Sequence, residues 1–112
     1  MFMKHFSTLA RAAAASLCCL AGTASVLPAH ASALLALEKG CMSCHGTPPK
    51  KNAPDFATLA KQLAPYRGQA GADVKLADKL REHHVFGGIK AHENLSEASA
   101  LTLVRWVIDG AQ

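Results

Sequence analysis

Cys41-Met42-Ser43-Cys44-His45 decides how the rest of the chain is read. The spacing C-x-x-C-H is that of a c-type haem attachment site. Two thiols one helical turn apart add across the two vinyl groups of the porphyrin, and the adjacent imidazole then lies beneath the ring, where it binds iron from one side. Paired cysteines serve two other chemistries. A redox-active dithiol expects a βαβ context, which this chain lacks. A zinc site expects a second cysteine pair at finger spacing, and none follows. One covalent haem c, held by Cys41 and Cys44 with His45 on the iron, is the expectation.

The flank before the motif supports it. Lys4, His5 and Arg11 make a positive start, Ala12 to Val26 an apolar stretch, and Ala29-His30-Ala31 a small-residue cleavage pattern. Together residues 1–31 read as a cleaved secretory signal peptide. The apolar stretch, interrupted by Gly22, is shorter than the ~20 residues of a membrane span. Leu17 before Cys18 argues against a lipoprotein signal. Cleavage after Ala31 leaves residues 32–112, one domain with only Cys41 and Cys44. Four cysteines in an exported chain would suggest a disulfide framework, whereas two in C-x-x-C-H suggest haem thioethers. Bacterial c-type haem attachment is completed outside the cytoplasmic membrane, so signal and motif are mutually consistent.

Charge and size narrow the class further. The whole chain carries a formal +4, but loss of Lys4 and Arg11 leaves 10 basic residues against 8 acidic ones. That balance gives no reason to expect a nucleic-acid partner. A domain of ~80 residues rarely gains more than a few kcal/mol from its core and usually needs a staple. An apolar macrocycle wrapped by short helices supplies one where no disulfide is available.

The periodicity is helical throughout. Residues 33–39 read as a short helix ending at Gly40, and residues 46–54, with three prolines, as a loop. Phe56, Leu59, Ala60 and Leu63 place one apolar face on a helix over 55–64, closed by Pro65. A third helix is expected over 72–83, then Gly87-Gly88 and an irregular stretch to Asn94. Ser96 as N-cap and Glu97 in the first turn open a last helix to about Asp109. The fold class is all-α, about four short helices around one haem, without strand signals or repeats.

With these elements in place, the chain resembles the small bacterial class I c-type cytochromes, monohaem and short-looped. The resemblance covers essentially all of residues 33–112. It rests on Glu38-Lys39-Gly40-Cys41-Met42-Ser43-Cys44-His45, Ala53-Pro54-Asp55-Phe56, Tyr66-Arg67-Gly68-Gln69-Ala70-Gly71-Ala72, and Leu95-Ser96-Glu97-Ala98 leading into Val104-Arg105-Trp106-Val107. It implies a cytochrome c fold, with the first and last helices packed together at one haem edge. It also implies that the Pro54 carbonyl accepts a hydrogen bond from the ligand imidazole's other nitrogen, which orients His45 and raises its basicity. Trp106 is expected in the helix-packing core.

One departure stands out. Such cytochromes carry an axial methionine in a segment before the last helix, which raises the potential. Here the methionines are at 1, 3 and 42; the first two leave with the signal, and Met42 sits inside the attachment loop. Methionine ligation within the mature chain is therefore excluded. Val85-Phe86-Gly87-Gly88-Ile89-Lys90-Ala91-His92 occupies the vacated place. Its nitrogen donors are His92 and Lys90, and neutral imidazole is the better ligand near neutral pH because lysine holds its proton to about pH 10. His92 is the expected sixth ligand. His83 and His84 reach the iron only if the end of the third helix unwinds; Lys90 and an open site remain alternatives. The resemblance implies a periplasmic carrier of single electrons between redox partner proteins, with no substrate chemistry of its own. A small-ligand (NO or CO) binding or sensing protein, and a cytochrome subunit associated with a larger membrane oxidoreductase, are the alternatives.

Overall fold

The computed structural model describes residues 28–50 and 52–112, and of 28–31 the backbone only. The expected signal segment thus lies outside the described residues, save for positions 28–31, which open the first helix. Six helices follow one another: α1 Pro28–Glu38, α2 Met42–His45, α3 Phe56–Leu63, α4 Ala72–Leu80, α5 Lys90–Glu93 and α6 Glu97–Ile108. A 3₁₀ turn, Ala64–Tyr66, extends α3. There is no strand among the described residues, and the fold is the expected all-α one.

The last helix carries the architecture. Ser96 caps it by accepting the Ser99 N–H at 3.1 Å, and Glu97 lies in its positive first turn. Ala100, Leu103, Val104, Trp106, Val107 and Ile108 are all buried on it, a face wide enough for three partners. It packs against α1, α3 and α4. Ala36 of α1 and Ala100 of α6 are wholly buried, so small side chains let these two helices approach closely. Ala60 of α3 and Ala77 of α4 complete the core from the other two helices.

Three side chains fasten the loops to this frame. Arg67, in the turn after α3, donates to the Ile108 carbonyl at 2.7 Å, satisfying a carbonyl that the end of α6 leaves free. Arg81 donates to the Leu95 carbonyl at 3.0 Å, joining the end of α4 to the segment that enters α6. Asp73 on α4 and Arg105 on α6 form an ion pair at 2.7 Å.

Three points differ from the sequence reading. The first helix opens at Pro28, ahead of the expected residue 33. The third helix stops at Leu80 rather than His83, because its last turn tightens: the Arg81 N–H reaches both Ala77 and Asp78, and the Glu82 N–H reaches Lys79 three residues back. His83 and His84 therefore lie beyond the helix. The stretch to Asn94 is not wholly irregular, since Lys90–Glu93 makes one helical turn. The Ile89 carbonyl nucleates it by accepting the N–H groups of both His92 and Glu93. A single turn is too short to leave a periodic signal in sequence. With the single turn Met42–His45 added as well, six helices among the described residues replace the expected four or so.

Candidate haem site

Gly40, at φ +74°, ends the chain's run along α1 in a left-handed conformation that favours glycine. The turn aims Cys41 back at the core, and α2 begins at once. The His45 N–H reaches the Cys41 carbonyl at 2.9 Å, closing one helical turn over the five-residue motif. Cys41 and Cys44 are free thiols, both half-buried. Burial pushes the Cys41 thiol pKa up. Met42, like Cys41, packs against the core.

The loop after the motif folds back over it. The Lys50 N–H bonds the Cys44 carbonyl and the Ala53 N–H bonds the Lys50 carbonyl, each at 2.9 Å. This brings Pro54 beside the imidazole, and His45 Nδ1 donates to the Pro54 carbonyl at 2.6 Å. A carbonyl only accepts, so the proton is on Nδ1 and the Nε2 lone pair is left for a metal. Directly after Pro54, Asp55 caps α3 by accepting the Thr58 N–H at 2.7 Å. The cap fixes Phe56, whose ring lies 5.5 Å from that of His45 and 4.9 Å from that of Trp106. Trp106 is buried and donates Nε1–H to the Gln112 carbonyl at 3.0 Å.

Opposite His45 stands His92. The two ring centres are 6.0 Å apart and the planes differ by 13°. Between them opens a cleft of about 150 Å³ whose walls come from Phe56, Leu59 and Leu63 of α3, Leu80 of α4, Leu95, and Leu103, Val104 and Val107 of α6, with Cys41 at its edge. A second cavity, about 430 Å³, shares Leu63, Leu80, His92 and Val104 with the first and extends under Gly87, Gly88 and Ile89. Burial, and secondarily the charge of His45, lowers the His92 pKa; the neutral imidazole is the form that binds metals.

Of the four nitrogen donors in the region, His92 alone lines the cleft together with His45. His83 faces Glu93 across 3.4 Å. Lys90 bonds the same carboxylate at 3.0 Å. His84 lines the second cavity, away from His45. Glu93 itself went unnoticed in the sequence. Its side chain is 1% exposed, and an acid following a histidine carries no mark of burial.

These residues fit a haem c. Two thiols sit one turn apart, an imidazole is oriented by a carbonyl, and a second imidazole faces the first. His45 and His92 would each offer an imidazole nitrogen to the iron of a haem bound in the cleft. The walls between them are apolar, as a porphyrin requires.

Comparison with known proteins supports the covalent haem c. No family model matches the sequence, and no solved structure is matched. The chain is 35% identical over 77 residues to cytochrome c-552 of Hydrogenobacter thermophilus, covering 66% of this chain and 76% of that protein. It is 35% identical over 74 residues to cytochrome c-551 of Pseudomonas aeruginosa, covering 63% of this chain and 68% of the relative. It is 33% identical over 84 residues to cytochrome c2 of Rhodocyclus tenuis, covering 66% and 86%. With this likeness, an all-helical frame and a C-x-x-C-H turn opening on an apolar cleft, the chain belongs to the class I monohaem cytochromes c, electron carriers with covalently bound haem c rather than enzymes.

Proposed function

We propose that this cytochrome carries single electrons with its iron held between two imidazoles, His45 on the proximal side and His92 on the distal side. Cys41 and Cys44 would form the thioethers, and the Pro54 carbonyl would orient His45 and make it a stronger donor. The observation that carries the reading is the separation of the two rings, 6.0 Å with planes 13° apart, across an apolar cleft. Bound there, haem c supplies a one-electron ferric–ferrous couple. The chain supplies two ligands, excludes water with leucine and valine, and leaves the redox partners to be met at the surface.

Residues 1–31 are proposed as the export signal, with function in the periplasm. Support comes from the basic start, the apolar stretch and the Ala29-His30-Ala31 pattern. No helix among the described residues is long and apolar enough to cross a membrane.

Ferric-state electron paramagnetic resonance with near-infrared magnetic circular dichroism tests the ligands, on exported protein whose mass is first checked for residues 32–112 plus one haem. Wild type is expected to give a low-spin bis-imidazole signature and a potential below that of methionine-ligated relatives, since thioether ligation raises the potential. His92→Ala should abolish that signature. An identical spectrum in the variant would refute the assignment.

A further inference from the structure

The segment from His83 to Asn94 holds His92 without a core of its own. Val85 and Phe86 are 91% and 92% exposed. The turn Lys90–Glu93 has only four residues, too few to be stable by its own hydrogen bonds. What closes the segment is a carboxylate at its centre. Glu93 Oε1 accepts the His84 backbone N–H at 3.1 Å. Oε2 accepts from Lys90 Nζ at 3.0 Å and faces His83 Nδ1 at 3.4 Å. The partners come from both ends of the segment, and the carboxylate joining them is almost entirely buried. A buried carboxylate is costly unless its acceptor positions are filled, so the arrangement holds only while the segment stays closed.

Gly88 is the matching piece. A Cβ there would overlap Glu93 Oε1, would lie 2.9 Å from the carboxyl carbon and 3.4 Å from His84 Cβ. Any side chain at this position would push the carboxylate off its seat. The requirement is one of space, because Gly88 is not in the left-handed region.

We infer that Glu93 and Gly88 form a latch, in which the carboxylate seated against the bare backbone of Gly88 keeps the 83–94 segment closed and so keeps His92 aimed across the cleft at His45. Glu93 is thus a positioning residue. The inference rests on the reading of His92 as the distal ligand. With the latch intact, the distal side is closed to small molecules. With it broken, the turn bearing His92 opens for part of the time, and the rate of entry follows the open fraction.

The test is carbon monoxide binding to the reduced, haem-loaded protein, read beside the ferric spectrum for wild type, His92→Ala, Glu93→Ala, Glu93→Gln and Gly88→Ala. Glu93→Ala and Gly88→Ala are expected to bind carbon monoxide at least about tenfold faster than wild type, and to show a high-spin fraction that free imidazole suppresses. Glu93→Gln keeps an oxygen for the His84 N–H and should fall between. Gly88→Ala leaves every ionisable group in place, so it reports on the latch even where Glu93→Ala folds poorly. If Glu93 merely stabilises the fold, the variants melt earlier yet bind carbon monoxide as slowly as wild type, and the latch is wrong while His92 stands. If His92→Ala leaves the ferric spectrum unchanged, the ligand reading fails and the latch with it.

Discussion

Trp106 joins the helix frame to the haem site through one side chain. Its ring lies 4.9 Å from Phe56, which in turn lies 5.5 Å from His45, and its Nε1–H holds the Gln112 carbonyl at 3.0 Å. Trp106→Ala removes a large buried ring from the centre of the core and should cost about 3–5 kcal/mol in urea unfolding of the haem-loaded protein. Trp106→Phe keeps most of the packing and loses the hydrogen bond, for a smaller loss of about 1 kcal/mol. Equal losses in the two would mean that packing at this position is unimportant. Residues of this kind differ in how far sequence exposes them. Trp106 could be placed in the core because it lies on the apolar face of a strongly periodic helix. The five residues from Cys41 to His45 are legible because their chemistry is encoded in local spacing. Glu93 and Gly88 are not: the burial of one and the absent Cβ of the other acquire meaning only when the segment folds over itself.

The helices show the same division. Ser96 announces the start of α6, because N-capping needs only the residue and the N–H three positions on; Asp55, expected inside the helix over 55–64, caps α3 in the same way. The end of α4 is hidden, since it depends on a tightened turn and on Arg81 reaching Leu95 fourteen residues away. Contacts between elements are hidden as well. Asp73 and Arg105 clip α4 to α6, and the Arg105 hydrogen bond is the largest cause of the lowered Asp73 pKa, followed by the Val74 N–H. A carboxyl depressed in the folded state stabilises that state above its unfolded value, here the ordinary 3.8. That contribution is lost as pH falls through the lower folded value. Stability should therefore decline in acid from about pH 4 downward, and Asp73→Asn should flatten this part of the curve while lowering the plateau near neutrality. Arg105 is 58% exposed, so salt should weaken the pair. Melting curves of both proteins across acid pH, at low and high ionic strength, would show it; parallel acid profiles would rule the pair out as a source of the dependence.

At the scale of the whole molecule, the protein chain folds around a space that it does not fill. Its buried apolar residues are alanines, residues of α6, or Leu95 just before that helix, and no large side chain among the described residues is fully buried. Phe56, Leu59, Leu63, Leu80, Leu101 and Leu76 are only partly buried, ranged against the core with one side open. Those on α3 and α4 face the cleft and its neighbouring cavity. Apolar area gains about 25 cal/mol per Å² on leaving water, so a macrocycle covering these side chains contributes stabilisation that the polypeptide alone lacks. Few other staples are present, since both described cysteines are free. A chain of this size needs one. Removal of the haem, by producing the protein without covalent attachment or as Cys41→Ala with Cys44→Ala in its absence, should therefore leave a polypeptide with much reduced helical circular dichroism and no cooperative thermal transition. Helicity and cooperative melting equal to those of the loaded protein would show instead that α1, α3, α4 and α6 form a sufficient core by themselves, with the cleft as a preformed receptor.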